Sequence, residues 1–553
     1  MIENLRPYQV EAADAIFREW ESASSTLLIL PTGAGKTQVF CEVIRRKQPL
    51  RALVLAHRAE LIWQAVKRLK QFGIESTVEM ADCKASTTFW NRSPVVVSTV
   101  QTQYSGKNGG RMTRFDPMDF NLLVLDEAHH YTATTYRKVI DYYRRNPDLK
   151  ILGVTATPDR ADEQALGQIF QTVAYDYEIL DAIHDGWLVP IEQQMVTVAG
   201  LDYSHVHTTA GDLNGAELAA IMEAEEILQG IAGASLDIIA DRRTLVFATS
   251  VKHAEMLAEI YCRHRDGMAE WVCGKTEKQK RQDILKRFAS GQTQVVVNVG
   301  VLTEGFDNPA VEVIIQGRPT KSRCLYSQMV GRATRPLPGI VDGLDTPEQR
   351  REAIANSAKP ACLVVDFVGN AGRHKLMTTA DILGGKVSEE VIERAAKRAA
   401  KDGQPFRMDE LLDEEVIRIQ QEIEIRKRNE ALRKAKLVAK VQYQSRQINP
   451  FDTFDMTPAV DRGWDDGRRL SEKQRDLLMR QGIDPDSMSY AAGRQLLNTL
   501  FARWKAKLAT LKQCALVKKH YPEYDVKTLS MTKASELIDG LAKNGWKRPQ
   551  VPA

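Results

Sequence analysis

An α/β fold is the architecture this sequence predicts: two tandem parallel-sheet domains with helices on both faces, followed by a mainly α-helical C-terminal region. Three observations carry the prediction. Short apolar runs alternate with helix-compatible stretches at 27–30, 52–55, 95–98, 122–125 and 151–155, and parallel strands buried on both faces read as such unbroken runs. A second set follows Pro190, at 245–248, 295–299, 311–315 and 361–366. Beyond Lys386 the strand signals vanish, and long segments rich in Ala, Glu, Lys and Arg take over, including Leu411 to Arg446.

Taken in order, residues 1–188 form the first expected domain and 189–385 the second, with Leu201 to Ala240 as a helical lead-in and Leu337 to Lys359 as an insertion. Residues 386–448 read as a basic helical arm, because Arg426 to Arg446 holds eight Lys or Arg against the single acidic Glu430. Such a face suits a phosphate backbone, where each neutralised phosphate adds salt-sensitive affinity, or it is a solvated helix surface. The Pro, Gly and Asp content of 449–469 reads as a linker. Residues 470–553 repeat one pattern: Ser471-Glu-Lys-Gln-Arg-Asp-Leu-Leu with Trp504, then Thr510-Leu-Lys-Gln-Cys-Ala-Leu-Val with Trp546. Two tandem helical units are expected there, their tryptophans serving as core residues or as a contact for DNA or a partner protein.

At 553 residues the chain can bury several separate cores. Apolar residues at 43% and charged residues at 27% are ordinary for a globular protein, and the formal charge of +4 says little about partners. The seven cysteines include no Cys-x-x-Cys pair and no His/Cys set of zinc spacing, so no structural zinc is expected and reduced thiols suit a cytoplasmic setting. The N-terminus lacks a basic-then-apolar leader and no apolar run reaches membrane-span length, so no membrane association is expected. A monomer or weak oligomer is the expected state.

Leu30-Pro-Thr-Gly-Ala-Gly-Lys-Thr37 follows the first apolar run and opens a helix-compatible segment. A strand feeding a glycine turn leaves successive N–H groups facing a polyphosphate, and the helix behind it adds the positive end of its dipole. Thr32, Gly33, Ala34 and Gly35 would form the cradle, Lys36 would reach the β- and γ-phosphates of ATP, and Thr37 would hold Mg²⁺. The strict pattern has glycine where this chain has Leu30, and a plain strand-turn-helix is the alternative.

Asp126 and Glu127 stand at the carboxyl end of the run Leu122 to Leu125, where α/β sheets present their ligands. Asp126 would bind Mg²⁺ and Glu127 would polarise the attacking water; capping of the next helix is the other use of such a pair. Gln328-Met-Val-Gly-Arg-Ala-Thr-Arg335 sets Arg332 and Arg335 three apart, on one face of a helix. Two guanidinium groups so placed can reach across a cleft to a γ-phosphate, or lie on an ordinary surface helix.

With these residues in order the chain resembles the superfamily 2 helicases and translocases from residue 5 to about residue 370. Leu5-Arg-Pro-Tyr-Gln9 is similar to the adenine-recognising Q motif, which implies nucleotide contacts from Arg6 and Gln9. Asp126-Glu-Ala-His129 is the DEAH form of motif II, so His129 would couple the ATP site to Thr155-Ala-Thr157 of motif III. Thr303-Glu-Gly-Phe-Asp307 resembles motif V, placing Gly305 and Asp307 near nucleotide and Thr303 near the strand. Gln328, Arg332 and Arg335 match motif VI. The resemblance implies two RecA-like lobes sharing one ATP, and nucleic-acid contacts from His57, Arg58, Ser98, Thr99, Gln101 and Thr249; such contacts hold phosphates without reading bases.

Thr155-Ala-Thr in place of Ser-Ala-Thr, and Gln328 in place of histidine, set the chain apart from RNA-unwinding DEAD proteins. It is more similar to the DNA-acting branch: RadD-like repair proteins, RecG-like and UvrB-like remodelers, and restriction-enzyme motor subunits. Val364-Val-Asp-Phe-Val-Gly-Asn370 adds to the RadD-like likeness, but the cysteine-rich region of that group is missing. The expected function is an ATP-dependent DNA helicase or translocase acting on single-stranded, branched or damaged DNA in repair, replication or recombination. The alternatives are the motor of a restriction-type system, an RNA helicase, and a non-catalytic nucleotide switch, against which Glu127 and the two arginines argue.

Overall fold

The computed structural model describes residues 5–47, 51–87, 92–106, 110–132, 134–156, 165–209, 211–372, 374–384, 387–402, 405–437, 449–465 and 467–544, without side chains at 132–135, 399–402 and 426–437. Thr157, Trp546 and residues 438–448 of the basic segment lie outside these residues, as do the side chains of 426–437. Among the described residues no helix is long and apolar enough to cross a membrane.

The first lobe is built on β1 (Ser25–Ile29), β2 (Ala52–Ala56), β3 (Ser76–Glu79), β4 (Val95–Thr99), β5 (Leu122–Asp126), β6 (Lys150–Thr155) and β7 (Thr172–Asp176). Every pairing is parallel, in the order β3-β4-β2-β5-β6-β1-β7. Every residue of β1, β2, β4 and β5 is buried, which is why each was legible as an apolar run. Ile29 aligns with Thr155, Asp126 with Val154, and Ala56 with Thr99. The strands therefore end on one edge, and the residues that follow them converge there.

The second lobe repeats the design. Its strands β8 (Ile191–Asp202), β11 (Thr244–Ala248), β12 (Ala269–Cys273), β13 (Val295–Val299), β14 (Val313–Gly317), β15 (Cys362–Asn370) and β16 (Phe406–Arg407) take the order β12-β13-β11-β14-β15-β8-β16. All are parallel except β16, which joins β8 antiparallel. A small hairpin of β9 (Thr208–Thr209) and β10 (Asp212–Leu213) stands apart.

Several expectations change. The lead-in at 201–240 is only partly helical: it begins with the end of β8 and the β9–β10 hairpin before helices Gly215–Met222 and Glu225–Ile239. Strand structure does not stop at Lys386, because β16 caps the second sheet. Val391, Ala395, Met408 and Leu412 are buried in the same apolar cluster as the two lobes, so the compact unit that holds both sheets continues to Gln421. Residues 449–469 are no plain linker either: helix Pro450–Phe454 buries Phe451 and Phe454 in the core of the C-terminal unit.

That unit contains two helix pairs, Glu472–Arg480 with Tyr490–Lys505 and Leu511–His520 with Met531–Lys543. The first helix of each pair opens with the same reciprocal cap, Ser471 with Gln474 and Thr510 with Gln513, which satisfies amide donors left over at a helix start. Leu478, Leu496, Leu500, Cys514, Val517 and Leu541 share one core.

Candidate active site in the cleft between the lobes

After β1 the chain turns into α2 (Lys36–Arg46) through Gly33 and Gly35, whose φ angles of +93° and +82° lie in the left-handed region where any side chain is strained. The turn is braced from α1 (Pro7–Glu19). The Tyr8 hydroxyl donates to the Ala34 carbonyl at 2.8 Å, and Gln9 Nε2 donates to the same oxygen at 2.9 Å and to Gln38 at 2.7 Å. Gln9 Oε1 accepts from the Arg6 amide at 2.9 Å. Both ends of the Gln9 amide are thus engaged by protein, and the residue expected at the adenine edge here supports the phosphate loop. Arg6 stacks on Trp187 at 4.7 Å from the ring centroid, and Arg350 stacks on the same ring at 3.9 Å.

Lys36 Nζ lies 2.9 Å from Glu127 Oε1. Asp126 ends β5, and Glu127 follows with φ +51°, a strained backbone for a residue with a side chain. Burial, then the neighbouring Glu127 charge, pushes the Asp126 carboxyl up to about 7. Burial raises Glu127 as well, but the Lys36 ammonium outweighs it and holds that carboxyl below its usual range. His129 Nδ1 sits 3.0 Å from Thr155 Oγ1, linking β5 to the end of β6. Burial brings His129 down to about 4, so the ring is neutral near pH 7.

The second lobe presents its arginines from the end of helix Arg323–Val330. A methyl group built on Gly33 would come within 3.2 Å of Arg335 Cγ, and one on Gly331 within 2.5 Å of Thr32 Cβ. Motif VI therefore lies against the phosphate loop. The two arginines have different work. Arg332 is buried, donating to the Thr303 carbonyl at 2.7 Å and the Phe306 carbonyl at 2.5 Å, and burial lowers its pKa to about 10. It holds the 303–307 loop. Arg335 pairs with Asp307 on that loop and faces the glycine turn. Lys359, unremarked in the sequence, donates to the Arg335 carbonyl at 2.7 Å and to Pro309 at 2.8 Å, fixing the backbone behind the guanidinium.

The donor set fits a magnesium-bound nucleotide. Thr32 Oγ1, Glu127 Oε2 and Gln328 Nε2 are buried without a hydrogen-bond partner among the described residues, a costly state for polar atoms unless a polar ligand completes them. Gly33 and Gly35 hold the turn in a left-handed backbone that a side chain would strain, and Lys36 and Arg335 flank it from opposite lobes.

Residues 2–160 match the family described as "Type III restriction enzyme, res subunit", and residues 226–336 match "Helicase conserved C-terminal domain". The chain is 30% identical over 385 residues to "Putative ATP-dependent helicase IRC3" of Saccharomyces cerevisiae, covering 66% of this chain and 51% of that one. Each lobe thus carries a match to a helicase or restriction-enzyme family, in the order in which the two domains occur along the chain. The chain is also 27% identical over 390 residues to "Putative mitochondrial ATP-dependent helicase irc3" of Schizosaccharomyces pombe, covering 69% and 60% of the two chains. A third relative, "DNA 3'-5' helicase XPB" of Kineococcus radiotolerans, is 26% identical over 344 residues, covering 60% and 57%. The chain thus spans roughly half to three fifths of the length of these curated relatives.

The residues expected at nucleic acid divide. Arg58, partly exposed after β2, donates to the Gly300 carbonyl of the second lobe at 3.1 Å. Gln101 is exposed, with its amide 3.0 Å from the Tyr136 hydroxyl. Ser98 departs from expectation: it is fully buried, its hydroxyl donating to the Glu79 carbonyl and accepting from Gln103. It secures the end of β4 and presents nothing to a ligand. Thr99 caps the next helix by accepting from the Thr102 amide. Thr249 contacts His253 Nδ1 at 2.9 Å, and Thr303 is buried with its carbonyl held by Arg332.

Two residues that sequence reasoning passed over complete the junction. Glu304, inside motif V and nearly buried, lies with one carboxylate oxygen 2.8 Å from His57 Nε2 and 3.4 Å from Arg58, and with the other 3.6 Å from His130 Nε2. The His57 and His130 ring centroids lie 4.0 Å apart, with the planes tilted by 46°. Those two histidines and Arg58 hold the Glu304 carboxyl far below the usual range against the opposing effect of burial. The sequence signals were slight: His130 merely doubles His129, and Glu304 sat within a motif valued for its neighbours.

Proposed function

We propose that this chain is an ATP-dependent DNA motor, hydrolysing ATP to ADP and phosphate and using the cycle to grip and release DNA. The observation that carries the reading is the approach of Arg335 to Gly33, which brings Lys36, Glu127 and Arg335 around one space fed by both lobes. Thr37 and Asp126 would hold Mg²⁺, which supplies charge neutralisation on the phosphate oxygens. Glu127, kept ionised by Lys36, orients the attacking water and accepts its proton. Lys36 leaves Glu127 to bind the phosphates, and Arg335 stabilises charge developing on the transferred phosphoryl group. Neutral His129 relays the state of the carboxylate pair to Thr155.

DNA is favoured over RNA by the departures from the DEAD pattern at Thr155 and Gln328 and by the printed name of the Kineococcus relative. The test is turnover by the purified chain with single-stranded DNA, duplex, forked DNA and RNA. DNA is expected to stimulate hydrolysis; stimulation confined to RNA overturns the substrate, and none by either polymer overturns the motor reading.

The description of the family matched by residues 2–160 supports a second reading, the motor of a restriction-type system. Co-purification with a nuclease whose cleavage of DNA requires ATP and Lys36 would favour it over a repair role.

A further inference from the structure

We propose that the C-terminal helix pairs carry a second single-stranded DNA site, separate from the motor cleft and centred on Phe501, Trp504, Lys505 and Lys507. The choice of DNA rests on the motor reading above; the existence of the site rests on the observations that follow.

Charge is the first of them. Residues 470–553 contain 15 Lys or Arg against 8 Asp or Glu, a formal +7 on a small module, whereas the rest of the chain is slightly acidic. A polyanion is the complementary ligand, since each phosphate neutralised releases condensed counterions.

Exposure is the second. Phe501 and Trp504 are one helical turn apart on Tyr490–Lys505, 52% and 37% exposed, with ring centroids 5.5 Å apart in an edge-to-face contact. Large apolar rings in a packed helical module ordinarily turn inward. Here the inward place is taken by Arg503, which is buried and donates to the Ala509 carbonyl at 2.9 Å and the Val526 carbonyl at 2.9 Å. That guanidinium sews the two helix pairs together and fixes the aromatic face outward.

The third is what surrounds the rings. Lys505 and Lys507 are exposed and make no ion pair among the described residues. Lys507 has φ +54°, ending the helix sharply, and its carbonyl accepts from the Met531 amide at 3.0 Å. Leu508 forms a bridge with Ser530, so the lysine turn lies beside the first turn of Met531–Lys543. Two stacking surfaces, two free ammonium groups and a helix start are thereby gathered on one face. Bases stack on such rings without sequence preference while cations follow the backbone.

The test uses the full chain and a labelled oligo-dT of about 20 nucleotides. Half-saturating DNA for ATPase stimulation is expected to rise about tenfold in Phe501→Ala/Trp504→Ala, with turnover at saturating DNA and basal turnover within about twofold of wild type. Trp504→Phe, which keeps a stacking ring, should recover most of the affinity. Lys505→Ala/Lys507→Ala leaves the packed interior alone and should flatten the dependence of log affinity on log salt by about one. Unchanged half-saturating DNA in both double variants overturns the site. Equal competition by oligo-rU overturns its assignment to DNA. If DNA fails to stimulate the wild type, direct binding measured by anisotropy reports on the same variants, so failure of the motor reading and failure of this site are told apart.

Discussion

Lys36 Nζ and Glu127 Oε1 stand 2.9 Å apart in the cleft, each side chain about a tenth exposed. Under the proposed function the pair is a resting contact between two groups that hydrolysis would use separately, one for phosphate and one for water. Glu127→Gln removes the charge that competes for the lysine. It should lower turnover at least about 100-fold while nucleotide binding, followed with a fluorescent ATP analogue, is retained or tightened. Lys36→Ala should lower turnover similarly and weaken binding as well; equal binding by the two variants would refute separate roles.

Arg332 and Arg335 are expected to fail differently. Arg335→Ala should reduce turnover about 10²- to 10³-fold with little change in melting temperature, as loss of a charge-stabilising arginine does. Arg332→Ala strands the Thr303 and Phe306 carbonyls inside the protein. A stability loss of about 2 to 3 kcal/mol should accompany its loss of activity, visible as a lower melting temperature. If both variants melt as wild type, the structural role of Arg332 is wrong.

Glu304→Gln keeps the shape of the junction and removes the charge facing His57, Arg58 and His130. Stimulation by DNA should fall about tenfold while basal hydrolysis changes less, because the variant weakens an attachment between lobes and leaves the phosphate loop intact. Equal loss of basal and stimulated rates would place Glu304 in the chemistry itself.

Asp366 offers a test by pH. Burial raises its carboxyl to about 6, against partial opposition from hydrogen bonds donated by Tyr326 at 2.7 Å and Gln193 at 2.5 Å. A carboxyl whose folded value exceeds its unfolded one favours the fold only while protonated. Its contribution is present below about pH 4 and is lost as pH rises through about 6, amounting to about 3 kcal/mol. Asp366→Asn, whose carbonyl can accept both bonds, should flatten urea stability between pH 4 and 6 and match or exceed wild type at pH 7.5. A variant less stable than wild type at pH 7.5 would show that the ionised carboxylate is preferred.

The strands legible in advance were those buried on both faces, β1, β2, β4, β5 and β6 in one lobe and β11, β13, β14 and β15 in the other. Those missed lack that signal. β3 and β7 are largely half-exposed, β12 mixes Glu270 and Trp271 with apolar neighbours, and β8 changes from buried to exposed along its length. Pro450 and the glycines that follow suggested a linker, yet Phe451 and Phe454 pack inward, a tertiary outcome that local turn chemistry does not disclose. The phosphate loop and acidic pair were readable because contiguous residues build them. Glu304, His130 and Lys359 were not, since their roles depend on partners remote in sequence. Spacing likewise made Arg332 and Arg335 equivalent; only the fold gives one to the protein and leaves the other facing the loop.

Trp187, contacted by the guanidinium groups of both Arg6 and Arg350, sits where the chain passes from one lobe to the next. Its electron-rich ring lets two like charges share a crowded place, so the passage resembles a journal bearing clasped by N-terminal and insertion segments together. Separation of the two lobes must slide or release at least one guanidinium, so the fluorescence of this indole should report that movement.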